Sequence, residues 1–104
     1  MTPLIVLTTL GATFDAAALA TELVGQRLAA CVNIVPQIRS IYRWQGKVED
    51  DLEQLLVIKT TAERLDALRE ALFAKHPYEV PEFVVLTIDR IDGPYRDWLL
   101  DAVR

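Results

Sequence analysis

With 104 residues the chain makes one domain with a core of modest size. Hydrophobic residues are 52% of it and charged residues 25%, which excludes a disordered polymer. A formal net charge of -4 with no basic run excludes the Lys/Arg stripe needed to bind nucleic acid, and no apolar run approaches a membrane-spanning length.

The first residues, Met1-Thr2-Pro3-Leu4-Ile5-Val6-Leu7, lack a positive segment and a small-residue cleavage site, so they read as strand and not as a signal peptide. Leu4 to Thr9 is apolar on both faces, as a central strand should be. Asp15 to Arg27 places Leu19 and Leu23 four apart among alanines, which predicts a helix. The single Cys31 has no partner for a disulfide and fits a reducing cytoplasm.

Val32 to Gln45 is extended. Val32, Ile34 and Ile38 share one phase and Ile41 the other, so a bulge is expected at Pro36 or near Arg39. Gln45-Gly46-Lys47 supplies the positive φ of a tight hairpin, and the return strand runs from Val48 to Thr60. Thr60-Thr61-Ala62-Glu63 has the form of a capping box, followed by a helix that buries Leu65, Leu68 and Leu72 and stops before Pro77. Glu82 to Asp89 is a further strand. Gly93-Pro94 then opens a short helix with Tyr95, Trp98, Leu99 and Ala102 on one face.

This βαββαβ order with an added C-terminal helix predicts an α+β, ferredoxin-like sandwich over residues 1–104. Two features of it demand a partner. Each arm of the central hairpin has about 13 residues and spans ~43 Å, far more than a domain with a radius of gyration near ~13 Å can pair internally. The strands are also apolar on both faces, whereas two helices cover only one. Self-association with closed symmetry removes both deficits.

Chemistry concentrates in HPYEVPE, residues 76–82, between the second helix and the last strand. In the predicted topology Cys31 lies at the opposite end from His76, so no catalytic Cys/His pair forms. His76 is the candidate metal contact, with Thr8, Thr9, Lys75, Glu79 and Glu82 at the same end; its other reading is a helix-terminal cap. Lys59, inside an apolar strand, needs a carboxylate such as Asp89 or a path to the rim. Tyr42, Trp44 and Trp98 suit either a pocket or a neighbouring subunit. The acidic run Glu49-Asp50-Asp51 reads as a solvated, protective edge.

The stretches "RLAACVNIVPQIRSIYRWQGKVE", "LLVIKTT", "HPYEVPEFVVL" and "YRDWL" together resemble the CutA family of divalent-cation tolerance proteins over nearly the whole chain. The resemblance implies a ferredoxin-like homotrimer in which long hairpins pair between subunits. Its architecture is also similar to that of PII signalling proteins, which bind small effectors between subunits. It implies a link to copper and other divalent cations, through a first-strand cysteine and histidines before the Pro-Tyr motif. Here Thr8 and Lys75 stand at two of those positions, and only His76 carries over. The soft thiolate that would select Cu(I) is absent from the set.

The resulting expectation is a cytoplasmic homotrimer that confers divalent-cation tolerance, with weak binding of copper, another divalent cation or a small ligand between subunits. Trp44, Lys59, Tyr78, Glu82 and Trp98 are the expected cleft residues and His76 the metal contact. The alternative is a PII-like module for a small anion or nucleotide. An enzyme ranks last, because no acid and base or activated nucleophile is paired.

Overall fold

Strand order follows from the chain order. A computed structural model, which describes all 104 residues, contains β1 (Pro3–Gly11), α1 (Ala16–Gly25), β2 (Cys31–Trp44), β3 (Lys47–Thr61), α2 (Leu65–Lys75), β4 (Val84–Thr87) and α3 (Gly93–Ala102). The strands form one sheet in the order β2-β3-β1-β4, with every neighbouring pair antiparallel. This is the ferredoxin-like arrangement that the βαββαβ pattern predicts.

β1 alternates strictly. Leu4, Val6, Thr8 and Leu10 are buried, and their register partners on β3 include Ile58 and Leu56, which are fully buried. Leu19 and Leu23 of α1 and Leu68 and Leu72 of α2 close the same core. Each fully buried leucine contributes roughly 1.5–3 kcal/mol relative to exposure. On the other face, Ile5 and Leu7 of β1 stand beside Val57 of β3 and Leu86 and Val84 of β4. None of these is buried, and Val84 and Leu86 are 43% and 42% exposed. One sheet face is covered and the other is open.

The hairpin is as long as its sequence implies. β2 has 14 residues and β3 has 15, and the longest dimension of the chain is 44 Å. Gln45 and Gly46 both take positive φ, 49° and 79°, which makes the two-residue turn compatible with strand twist. The bulge falls at Pro36 and Gln37, between the pairs Val35–Leu55 and Ile38–Glu53. It changes the expected phase. Ile34 pairs with Leu56 on the covered face, whereas Ile38 pairs with Glu53, whose β1 partner Gly11 belongs to the open-face series. Ile38, Ser40, Tyr42 and Trp44 are therefore carried to the open side, away from Val32 and Ile34. A bulge re-aims every side chain beyond it.

Other local expectations are corrected. In α1 the Asp15 carboxylate caps the helix by accepting from the Ala18 N–H at 3.0 Å, and the helix ends at Gly25, before Arg27 turns to φ 59°. The Thr-Thr-Ala-Glu sequence forms no capping box. Thr60 instead donates its hydroxyl to the Leu28 carbonyl at 2.7 Å, and Glu63 accepts from the Thr2 N–H at 3.1 Å. That bond, then its own backbone N–H, holds the Glu63 carboxyl below its ordinary pKa. β3 stays paired through Thr61 opposite Pro3, so residues 62–64 make only a 3-10 turn and α2 begins at Leu65.

β4 is shorter than the predicted Glu82–Asp89, because its partners on β1 extend only from Leu4 to Leu7. α3 does dock, with Leu99 and Ala102 of the expected face turned inward: Leu99, Leu100 and Val103 pack with Ala30 and Ala102 lies against them, while Tyr95 and Trp98 stack on each other and stay 42% and 49% exposed.

Candidate functional site

The end of α2 and the segment after it are fastened to the sheet by one imidazole. α2 ends at Lys75, and His76 takes extended backbone geometry while its N–H still bonds the Leu72 carbonyl. The His76 ring lies 2.9 Å from the Thr9 carbonyl through Nε2, and Nδ1 accepts the Tyr78 N–H at 3.2 Å. An acceptor at Nδ1 places the ring proton on Nε2, which donates to Thr9. Burial lowers the His76 pKa, against the opposing pull of the Thr9 carbonyl and Glu53.

Tyr78 then reaches the hairpin. Its hydroxyl donates to Glu53 Oε2 at 2.6 Å, and Glu53 is only 7% exposed. Burial and this hydrogen bond push the Tyr78 phenol well above its ordinary pKa. One strand step further out, the Tyr42 hydroxyl donates to Asp51 Oδ2 at 2.6 Å, and that bond raises the Tyr42 pKa to about 12. Segment 76–82 and the outer hairpin together enclose a cleft of about 770 Å³, within the usual range for small-molecule sites.

The cleft gathers some of the expected residues and omits others. Trp44, Tyr78 and Glu82 line it. Lys59 and Trp98 do not, within one chain. Lys59 pairs with Cys31 and Ile5 at the far end of the sheet, where its ammonium donates to Asn33 Oδ1 and not to Asp89. Trp98 sits on α3 in a separate shallow depression with Leu100 and Arg104. Cys31 and His76 are likewise at opposite ends, since Cys31 is opposite Lys59 whereas His76 holds Thr9, whose partner is Leu55.

Asp51, Glu53 and Glu79 also line the cleft, as does Tyr42. Of the run Glu49-Asp50-Asp51, Asp51 turns to the cleft while Asp50 is a paired surface charge. The Arg39 guanidinium bonds it twice, at 2.9 and 2.7 Å, and lowers its pKa. A two-residue turn at Gln45-Gly46 sets Tyr42 opposite Glu49 and diagonal to Asp51, so this pair had a signal in the sequence. The Tyr78–Glu53 pair had none, because it depends on where the 76–82 segment folds back.

The residues at the first strand and at His76 do not fit a metal ion. Thr8 is fully buried on the covered face, Lys75 is paired with Glu22 at 3.2 Å, and both His76 nitrogens are engaged. No group of three His, Cys, Asp or Glu side chains stands close enough to hold a cation. Freeing Nδ1 for a metal would orphan the Tyr78 N–H.

Comparison with known proteins agrees with the fold and the motifs. The sequence model for "CutA1 divalent ion tolerance protein" matches residues 4–102. The chain is 50% identical over 95 residues to the divalent-cation tolerance protein CutA of Thermus thermophilus, covering 91% of this chain and 92% of that protein. It is 49% identical over 85 residues to the CutA homolog of Xenopus laevis, covering 82% of this chain but only 56% of that longer protein. Two solved structures superpose closely. The Thermus thermophilus protein does so with a TM-score of 0.88 at 49% identity, covering 93% of this chain and 94% of that one. CutA1 from Oryza sativa gives 0.94 at 42% identity, covering 100% and 95%. This chain belongs to the CutA1 divalent ion tolerance protein family.

Proposed function

We propose that the protein acts in divalent-cation tolerance as a homotrimer, and that the cleft beside His76 and Tyr78 is its ligand site, completed by a neighbouring subunit. The observation that carries this reading is the open sheet face. Ile5, Leu7, Leu55, Val57, Val84 and Leu86 occupy it with no element of the same chain to bury them. Beyond the sheet, the ribbon exposes Ile41, Val48 and Leu52 at 66%, 66% and 62%. A soluble protein covers such a surface, and a second copy supplies a matching one. Three is the number that the family resemblance implies.

The reading is one of binding without turnover, since no nucleophile is paired with a base in the cleft. It places the protein in a reducing cytoplasm, on the strength of the single free Cys31. Relatives are named as chloroplastic in Oryza sativa and periplasmic in Archaeoglobus fulgidus. No helix here is long and apolar enough to cross a membrane. The nucleotide-binding alternative gains nothing from the cleft walls, where no Lys, Arg or His lies. Sedimentation equilibrium tests the assembly: the expected mass is three times the 11.7 kDa chain, and a folded monomer at micromolar concentration overturns it.

A further inference from the structure

Glu53 is nearly buried, and no cationic side chain of the same chain pairs with it. Tyr78 satisfies Oε2, but no hydrogen bond ends on Oε1, and no salt bridge involves this residue. His76 beside it is held neutral near pH 7 by burial, which lowers its pKa. The free oxygen is not sealed from solvent: it faces the cleft and not packed core.

The rest of the wall has the same character. Asp51, Glu79 and Glu82 add carboxylates, and no Lys, Arg or His side chain of the same chain lines the space. Tyr42, Trp44 and Tyr78 bring three aromatic rings, whose faces attract cations. The carboxylates do not converge on one point, because no three of them come close enough to grip a single metal ion. Spread around about 770 Å³, they suit a larger ion whose charge is carried on N–H groups and whose body is carbon.

We propose that this cleft binds a small organic cation, a primary ammonium or guanidinium compound, with its charged head on Glu53 Oε1 and its aliphatic body against Tyr42, Trp44 and Tyr78. The proposal rests on the reading of this cleft as the ligand site and names its ligand class. Glu53 is the specificity-determining residue. Tyr78 and the Tyr42–Asp51 pair hold the wall in place, and a phosphate-bearing ligand is repelled.

Isothermal titration of the full chain at low salt, with agmatine as the cationic probe and ATP as the anionic one, tests it. Agmatine is expected to bind and ATP is not. Glu53→Gln, which keeps an acceptor for Tyr78, should weaken agmatine at least tenfold. Trp44→Leu, at a 39% exposed position outside the helix-side core, should weaken it severalfold. Absence of agmatine binding, unchanged affinity in both variants, or preferential binding of ATP each overturns the proposal. Sedimentation of the same sample separates the two readings: a trimer that ignores agmatine refutes the ligand class alone, whereas a monomer refutes the assembly whatever agmatine does.

Discussion

The Tyr78 hydroxyl and Glu53 Oε2, 25 residues apart in sequence and 2.6 Å apart in space, join the segment after α2 to the middle of the long hairpin. Through His76 the same segment is held to the end of β1. Three parts of the chain thus meet at one short chain of hydrogen bonds, Thr9–His76–Tyr78–Glu53, and the cleft is built on it.

Tyr78→Phe keeps the ring and removes the one donor to Glu53. A buried carboxylate left without its partner is expected to destabilise by about 1–3 kcal/mol. The shift in urea midpoint at fixed protein concentration measures it. A variant as stable as the parent would show that Glu53 finds water or another donor at no cost.

His76 makes stability depend on mild acid. Its pKa is lowered in the folded chain, so the unfolded chain takes up the proton first, near its ordinary value of about 6.5. The contribution is complete above that pH and is lost as pH falls toward the lowered folded pKa. The melting temperature should therefore drop between pH 7 and pH 5 more steeply in the parent than in His76→Gln. Above pH 5 the depressed carboxyls of Asp50 and Glu63 stay ionised and do not confuse the comparison. Equal slopes would remove His76 from the account.

Val57→Lys puts an ammonium in the middle of the open sheet face, between Leu7 and Asn33. The helix-side core lies on the opposite face and should be unaffected. The expected outcome is a folded chain, by circular dichroism, that sediments at lower mass than the parent. An unchanged assembly would show that the open face is not where copies meet.

Leu72→Ala tests the core independently of the site. The side chain is fully buried among α1, α2 and sheet residues, so truncation is expected to cost about 2–5 kcal/mol. Chemical denaturation at fixed protein concentration reads the loss, and agmatine affinity in the folded variant should not change.

Much of the fold was legible because it follows from local rules. The apolar run of β1, the leucine spacing of α1 and α2, and Gln45-Gly46 each specify an element by its own residues. Errors arose where a distant segment won. Thr60 spends its hydroxyl on Leu28 and Glu63 its carboxylate on Thr2, so the local capping pattern was overridden by partners 32 and 61 residues away. On α3 the expected face holds for Leu99 and Ala102 but not for Tyr95 and Trp98, because the surface it meets at Ala30 selects Leu99, Leu100 and Val103.

By itself the sequence determined the order of elements, the length of the hairpin and an apolar surface larger than one chain can bury. These depend on residue type and spacing, which a linear chain already contains. Tertiary structure alone decided that the Pro36–Gln37 bulge turns Tyr42 and Trp44 to the open side, that His76 spends both nitrogens on backbone, and that Glu53 meets the Tyr78 hydroxyl at the wall of the cleft. Those outcomes depend on register and on which distant atoms the fold brings to each hydrogen-bonding group, and no stretch of sequence carries that information alone.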